Sequence, residues 1–120
     1  MMKTMKVFLD DVRPCPEGWV PAYTASEAIA LIENNQVTHL SLDHDLGPEE
    51  AGTGYDVCCW LESKVFESPW CSEEPFIPPV MTTHSSNPVG VSRMNFAIKM
   101  IYHHFKVTQP VAWDSFRQTL

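Results

Sequence analysis

Three short stretches of the chain concentrate side chains that can do chemistry: Asp10-Asp11, Asp43-His44-Asp45 and His84-Ser85-Ser86-Asn87-Pro88. Carboxylates packed together repel one another, and a divalent cation is the common remedy. Asp10, Asp11, Asp43 and Asp45 offer hard oxygen ligands suited to Mg²⁺ or Mn²⁺, with Asp45 either a ligand or a residue that orients one. An imidazole in such a set would tilt the choice toward transition metals. Imidazole titrates near neutral pH, which makes His44 and His84 candidates for a general acid or base. Arg13 and Arg93 can make bidentate phosphate contacts. A helix opening at Asn87, with Ser85 beside it, would aim free amides at an anion. Carboxylates, imidazole and a helix N-terminus together suggest phosphoryl chemistry assisted by a metal.

Each group also has a plain structural role. An Asp-Asp pair at a strand end often caps a turn, and His84 can simply bond a neighbouring backbone group. Asp43-His44-Asp45 is denser than a cap requires. His39 precedes a strand, and His103 and His104 fall late in a helix where a cation complements the dipole, so all three read as structural. Cys15, Cys58, Cys59 and Cys71 show no C-x-x-C spacing, which argues against zinc and for a reducing compartment.

The elements that must position these residues follow from local pattern. Val7-Phe8-Leu9 is a continuous apolar run ending in charge, as expected of a strand covered on both faces. Residues 13–18 hold two prolines and a glycine, which forbids a long helix. Residues 19–23 form a second strand, and Pro21 sends it to an edge. Thr24-Ala25-Ser26-Glu27 has the form of a capping box, the glutamate reaching back to the amide of the cap residue, with Ala25, Ala28, Ile29 and Ile32 on one helix face.

Leu40-Ser41-Leu42 is the third strand. After a loop over residues 48–54, Thr53 or Gly54 caps a helix whose inner face carries Val57, Trp60, Leu61 and Val65. Residues 68–79 are proline-rich loop, and residues 80–83 form a fourth strand. Asn87 and Pro88 suit the cap and first position of a last helix faced by Met94, Ala97, Ile98, Ile101 and Phe105. The pattern fades after Lys106, where residues 107–113 read equally as a fifth strand or a packed tail.

Strands alternating with helices imply right-handed crossovers and a parallel sheet, whose ligands gather outside the carboxyl ends of the strands. Three strands here end in chemistry, so topology brings Asp10, Asp11, Asp43 and His84 to one edge of a sheet ordered 2-1-3-4. At 120 residues and with 44% apolar content the chain makes one α/β domain over residues 1–120 with one core. A net charge of −7 argues against bulk nucleic-acid binding. No apolar stretch reaches the length of a membrane span or an export signal.

Val7-Phe8-Leu9-Asp10-Asp11 and Leu40-Ser41-Leu42-Asp43 resemble the first and third strands of response-regulator receiver domains. The run from Ala22 through Ala28 is similar to their second strand and second helix. The resemblance implies a flavodoxin-like fold with the first helix reduced, and an acidic triad of Asp10, Asp11 and Asp43. In ordinary receivers that triad holds Mg²⁺ and the third-strand aspartate accepts a phosphoryl group. No Lys-Pro follows a fifth strand here, so the receiver lysine has no counterpart.

The remaining motifs resemble the cyclic-phosphate processing receiver domain of phages and bacteria. They are Asp10-Asp11-x-Arg13, Gly18-Trp19, Leu42-Asp43-His44-Asp45-Leu46-Gly47, Thr53-Gly54-Tyr55-Asp56 and His84-Ser85-x-Asn87-Pro88. This likeness implies a cytoplasmic, metal-assisted phosphoesterase acting on a cyclic phosphate of a nucleotide or sugar. The alternatives are a phosphoaccepting receiver with Asp43 as acceptor and Thr82 or Thr83 as switch hydroxyl, or an inert binding module of the same fold.

Overall fold

A computed structural model describes residues 3–107. Its elements run β1 (Thr4–Leu9), β2 (Val20–Ala22), α1 (Ala25–Asn34), β3 (Gln36–Leu42), α2 (Gly54–Glu67), β4 (Val80–Thr83) and α3 (Pro88–Val107), with one 3-10 turn at Glu49–Ala51. The four strands form a parallel sheet in the order β2-β1-β3-β4, as the alternation of strands and helices required. Of the segment expected to be a fifth strand or a tail, all but Val107, which closes α3, lies outside the described residues.

No helix joins β1 to β2; the connection is bends and one turn through Gly18, whose φ of 85° suits glycine. β2 is an edge strand, pairing only with β1, and Pro21 sits opposite Phe8. An edge strand tolerates the missing amide.

Strand alternation splits the sheet into two unlike faces. Val7, Leu9, Ala22, Val37, Leu40, Leu42 and Met81 point one way and join residues of all three helices in one buried cluster. Leu9, Leu40, Leu42 and Leu61 are fully enclosed there, and each such side chain contributes about 1.5–3 kcal/mol. Lys6, Phe8, His39, Ser41 and Thr82 alternate to the other face. Lys6, His39 and Thr82 are exposed there. Phe8 is buried, because Trp19 meets it edge-on at 6.4 Å and the His84 ring lies flat against it.

The helix starts are built as their sequences ask, with one difference. Thr24 Oγ1 accepts from the Glu27 amide at 3.1 Å, but Glu27 Oε1 takes the Tyr23 amide at 2.9 Å instead of that of the cap residue itself. Thr53 caps α2 in a complete capping box: its hydroxyl accepts from the Asp56 amide, and Asp56 Oδ2 accepts from the Thr53 amide. Asn87 caps α3 through Oδ1, which accepts from the Gly90 amide at 3.0 Å. Among the described residues no helix is long and apolar enough to cross a membrane.

Candidate functional site

Because all four strands run the same way, the residues that follow β1, β3 and β4 come out at one edge. Asp10, Asp11 and Asp43 each present a carboxylate oxygen there, all within 4.8 Å of one another. Their surroundings differ. Asp10 is buried, Asp43 half-buried and Asp11 exposed. Gly47, held at φ 92° after β3, leaves the space into which Asp11 Oδ2 projects; a Cβ there would sit 3.1 Å from that oxygen.

Asp10 is the most heavily supported of the three. Its Oδ1 accepts the Val12 amide at 2.8 Å and the Arg13 amide at 2.9 Å, an Asx-type turn that begins the β1–β2 connection. Its Oδ2 accepts from His84 Nε2 at 3.0 Å. Burial pushes the Asp10 carboxyl up, but the amides of Arg13 and Val12 together with His84 outweigh it and hold the pKa below the ordinary aspartate value. Asp10 is therefore an anion at neutral pH, with two hydrogen bonds accepted on Oδ1 and one on Oδ2, which keeps a further lone pair.

His84 is gripped on every side. Its Nδ1 lies 2.7 Å from Ser41 Oγ, and its ring stacks on Phe8 with centroids 4.4 Å apart and planes 4° from parallel. An Arg13 guanidinium N–H donates to the His84 carbonyl, tying the β1–β2 connection to the end of β4. Both ring nitrogens of His84 are thus engaged within the protein.

His44 is placed differently. Its Nδ1 lies 3.0 Å from Asp45 Oδ1, and hydrogen bonds from His44 and then Asn87 hold the Asp45 carboxyl below its ordinary value. A carboxylate only accepts, so Nδ1 is the donor and Nε2 is left as the basic nitrogen. No described residue bonds that Nε2. The ring lies against Gly90 in the first turn of α3, so close that a Cβ at position 90 would overlap it. Asp43 Oδ1 accepts the His44 amide at 2.8 Å.

The other residues singled out by sequence divide in two groups. Asp45 stands outside the trio of aspartates, turned to His44 and to Asn87 Nδ2 at 3.1 Å. Asn87 spends its amide on Asp45 and its carbonyl on Gly90, so its side chain is committed to joining β3 to α3. Ser85 Oγ accepts the Asn87 amide at 3.1 Å and keeps its O–H. The Arg93 guanidinium lies 4.3 Å over the Tyr55 ring, a cation–π contact between α2 and α3.

Sequence reasoning missed Ser41 and Phe8 as the residues that hold His84, missed Gly90, and quoted Gly47 and Gly54 without the close approach they admit. A hollow of about 630 Å³ lies at the opposite, amino end of β3 and β4, lined by Val37, Trp60, Phe76 and Pro79 among others, far from the aspartates.

A parallel sheet in this order, without a helix after β1 and with acidic residues at the ends of β1 and β3, is a receiver-like α/β fold. The family model of the cyclic-phosphate processing receiver domain matches residues 5–100, and the chain belongs to that family. No curated protein matches the chain.

Proposed function

We propose that the chain is a metal-assisted phosphoesterase that opens a cyclic phosphate on a nucleotide or sugar. The observation that carries the reading is the meeting of Asp10, Asp11 and Asp43 at the strand edge, with His44 next to Asp43 in the chain and its Nε2 bonded to no described residue. Family membership supplies the association with cyclic phosphates.

The residues fit a small hard cation. Oxygens bound to one Mg²⁺ at about 2.1 Å lie at most roughly 4.2 Å apart, so the observed spacing needs only slight closure. Asp10, Asp11 and Asp43 would hold Mg²⁺ or Mn²⁺, which when bound would polarise the phosphoryl oxygens and neutralise charge gathering on them. Asp45 holds His44 Nδ1–H, so Nε2 can take the proton of an attacking water. A P–O bond of the ring then breaks, and the departing alkoxide regains a proton from the imidazolium, leaving a phosphomonoester. Arg13, half-exposed at the same edge, and the Ser85 hydroxyl would bind the phosphate. Pro88 has no amide and that of Gly90 is capped, so in the first turn of α3 the Val89 amide is the one left for an anion.

The test supplies the wild-type protein with Mg²⁺ or Mn²⁺ and a panel of cyclic phosphates, following phosphomonoester release. Turnover should vanish in Asp43→Asn and fall about 10²–10⁴-fold in His44→Ala. No hydrolysis of any member would defeat the proposal, and acetyl-phosphate labelling of Asp43 in its place would point to a phosphoaccepting receiver.

A further inference from the structure

We infer that Ser41 is a positioning residue of this edge: its hydroxyl donates to His84 Nδ1 and holds the ring in the tautomer and rotation that aim Nε2–H at Asp10. The register puts Ser41 between Phe8 of β1 and Thr82 of β4. Leu40 and Leu42 on either side turn into the core, so a serine here serves the opposite face and contributes nothing to the buried cluster. Its Oγ lies 2.7 Å from His84 Nδ1, and His84 Nε2 lies 3.0 Å from Asp10 Oδ2. One continuous chain of hydrogen bonds therefore stitches β3, the end of β4 and the end of β1.

The direction of that chain follows from its last member. Asp10 Oδ1 accepts the Val12 and Arg13 amides, its Oδ2 faces His84 Nε2, and a carboxylate only accepts. Nε2 must carry the proton it gives to Asp10. In a neutral ring Nδ1 is then an acceptor, and Ser41 is the donor within reach. The Phe8 ring fixes the plane of the imidazole but not which edge faces Asp10; that choice falls to Ser41. Its effect on the aspartates is indirect. By locking His84 it fixes Asp10 Oδ2, in the way that the outer partners of ligating groups orient those groups.

The consequence for cation binding rests on the proposed function; the state of the ring does not. Nitrogen-15 NMR of the imidazoles in the metal-free protein, recorded on the alkaline side of the imidazole titration, should show His84 with Nε2 protonated and Nδ1 bare. In Ser41→Ala the His84 signals should move toward a mixture of tautomers with faster-exchanging Nε2–H, and Ser41→Thr should restore the wild-type pattern. Mn²⁺ affinity should fall roughly 10–100-fold in Ser41→Ala and recover in Ser41→Thr. A wild-type His84 protonated at Nδ1 would overturn the inference, and so would a Ser41→Ala variant with unchanged His84 signals. If the wild-type protein binds no Mn²⁺, the metal reading fails while the imidazole signals still decide the role of Ser41.

Discussion

Asp10 and Asp11 are neighbours in sequence with opposite duties. Asp10 is enclosed and accepts three hydrogen bonds, whereas Asp11 projects into solvent against Gly47. Hydrogen bonds to a charged group are worth about 1.5–3 kcal/mol. Asp10→Asn should therefore lower unfolding free energy by about 2 kcal/mol, while Asp11→Asn, which only relieves repulsion, should leave it unchanged or slightly raised. Urea denaturation of the metal-free proteins checks both. Asp10 also sets an acid limit. Its folded pKa lies below the unfolded value of about 3.9, so its stabilisation is complete above that pH and is lost as pH falls through the folded value. The acid-side loss of stability should be shallower in Asp10→Asn than in the wild type. At this scale the acidic and histidine residues were legible because they cluster at strand ends. Ser41 was not, since a serine between two leucines reads as ordinary strand alternation and its partner lies 43 residues away.

At the scale of elements, the site depends on how closely two helices approach the strand ends. Gly54, the first residue of α2, lies under the Asp43 carbonyl, and Gly90 in α3 lies under the His44 ring; a Cβ at either place would overlap them. Overpacking of this kind typically costs about 1–3 kcal/mol. Gly90→Ala should displace His44 from Asp45 and cut cyclic-phosphate turnover while melting only modestly earlier. Gly54→Ala should destabilise the fold itself, because it meets backbone instead of a movable ring. Thermal melts beside activity assays separate the two outcomes. Helix starts were legible because a cap is a local signal: Thr24, Thr53 and Asn87 each sit where their hydrogen bonds require. Strand starts were less so. β1 begins at Thr4 and β3 at Gln36, earlier than their apolar runs, because the pairing of Thr4 with Gln36 is made by backbone and needs no apolar side chain.

At the scale of the whole molecule, parallel topology converts three separate sequence clusters into one acidic edge on a chain already carrying −7. The order of the strands was legible because right-handed crossovers and a short first connection leave few alternatives. The one-sided packing follows from the same rule: the crossovers through α1 and α2 run in one direction across the sheet and so cover one face, and no helix between β1 and β2 covers the other. The acidic edge is held together by hydrogen bonds, at a cost in mutual repulsion. A cation that binds only the folded arrangement must therefore stabilise the whole fold by mass action. At a hundred times its dissociation constant the gain is about 2.7 kcal/mol, which for a domain of this size raises the melting temperature by roughly 10 °C. Mg²⁺ or Mn²⁺ should produce such a rise in the wild type, and the rise should shrink sharply in Asp11→Asn and Asp43→Asn. His44→Ala should keep it, since His44 is assigned to proton transfer and not to the cation. A melting temperature indifferent to both cations at millimolar concentration would remove the metal from the proposed chemistry. An equal rise in all three variants would place cation binding somewhere other than the three aspartates.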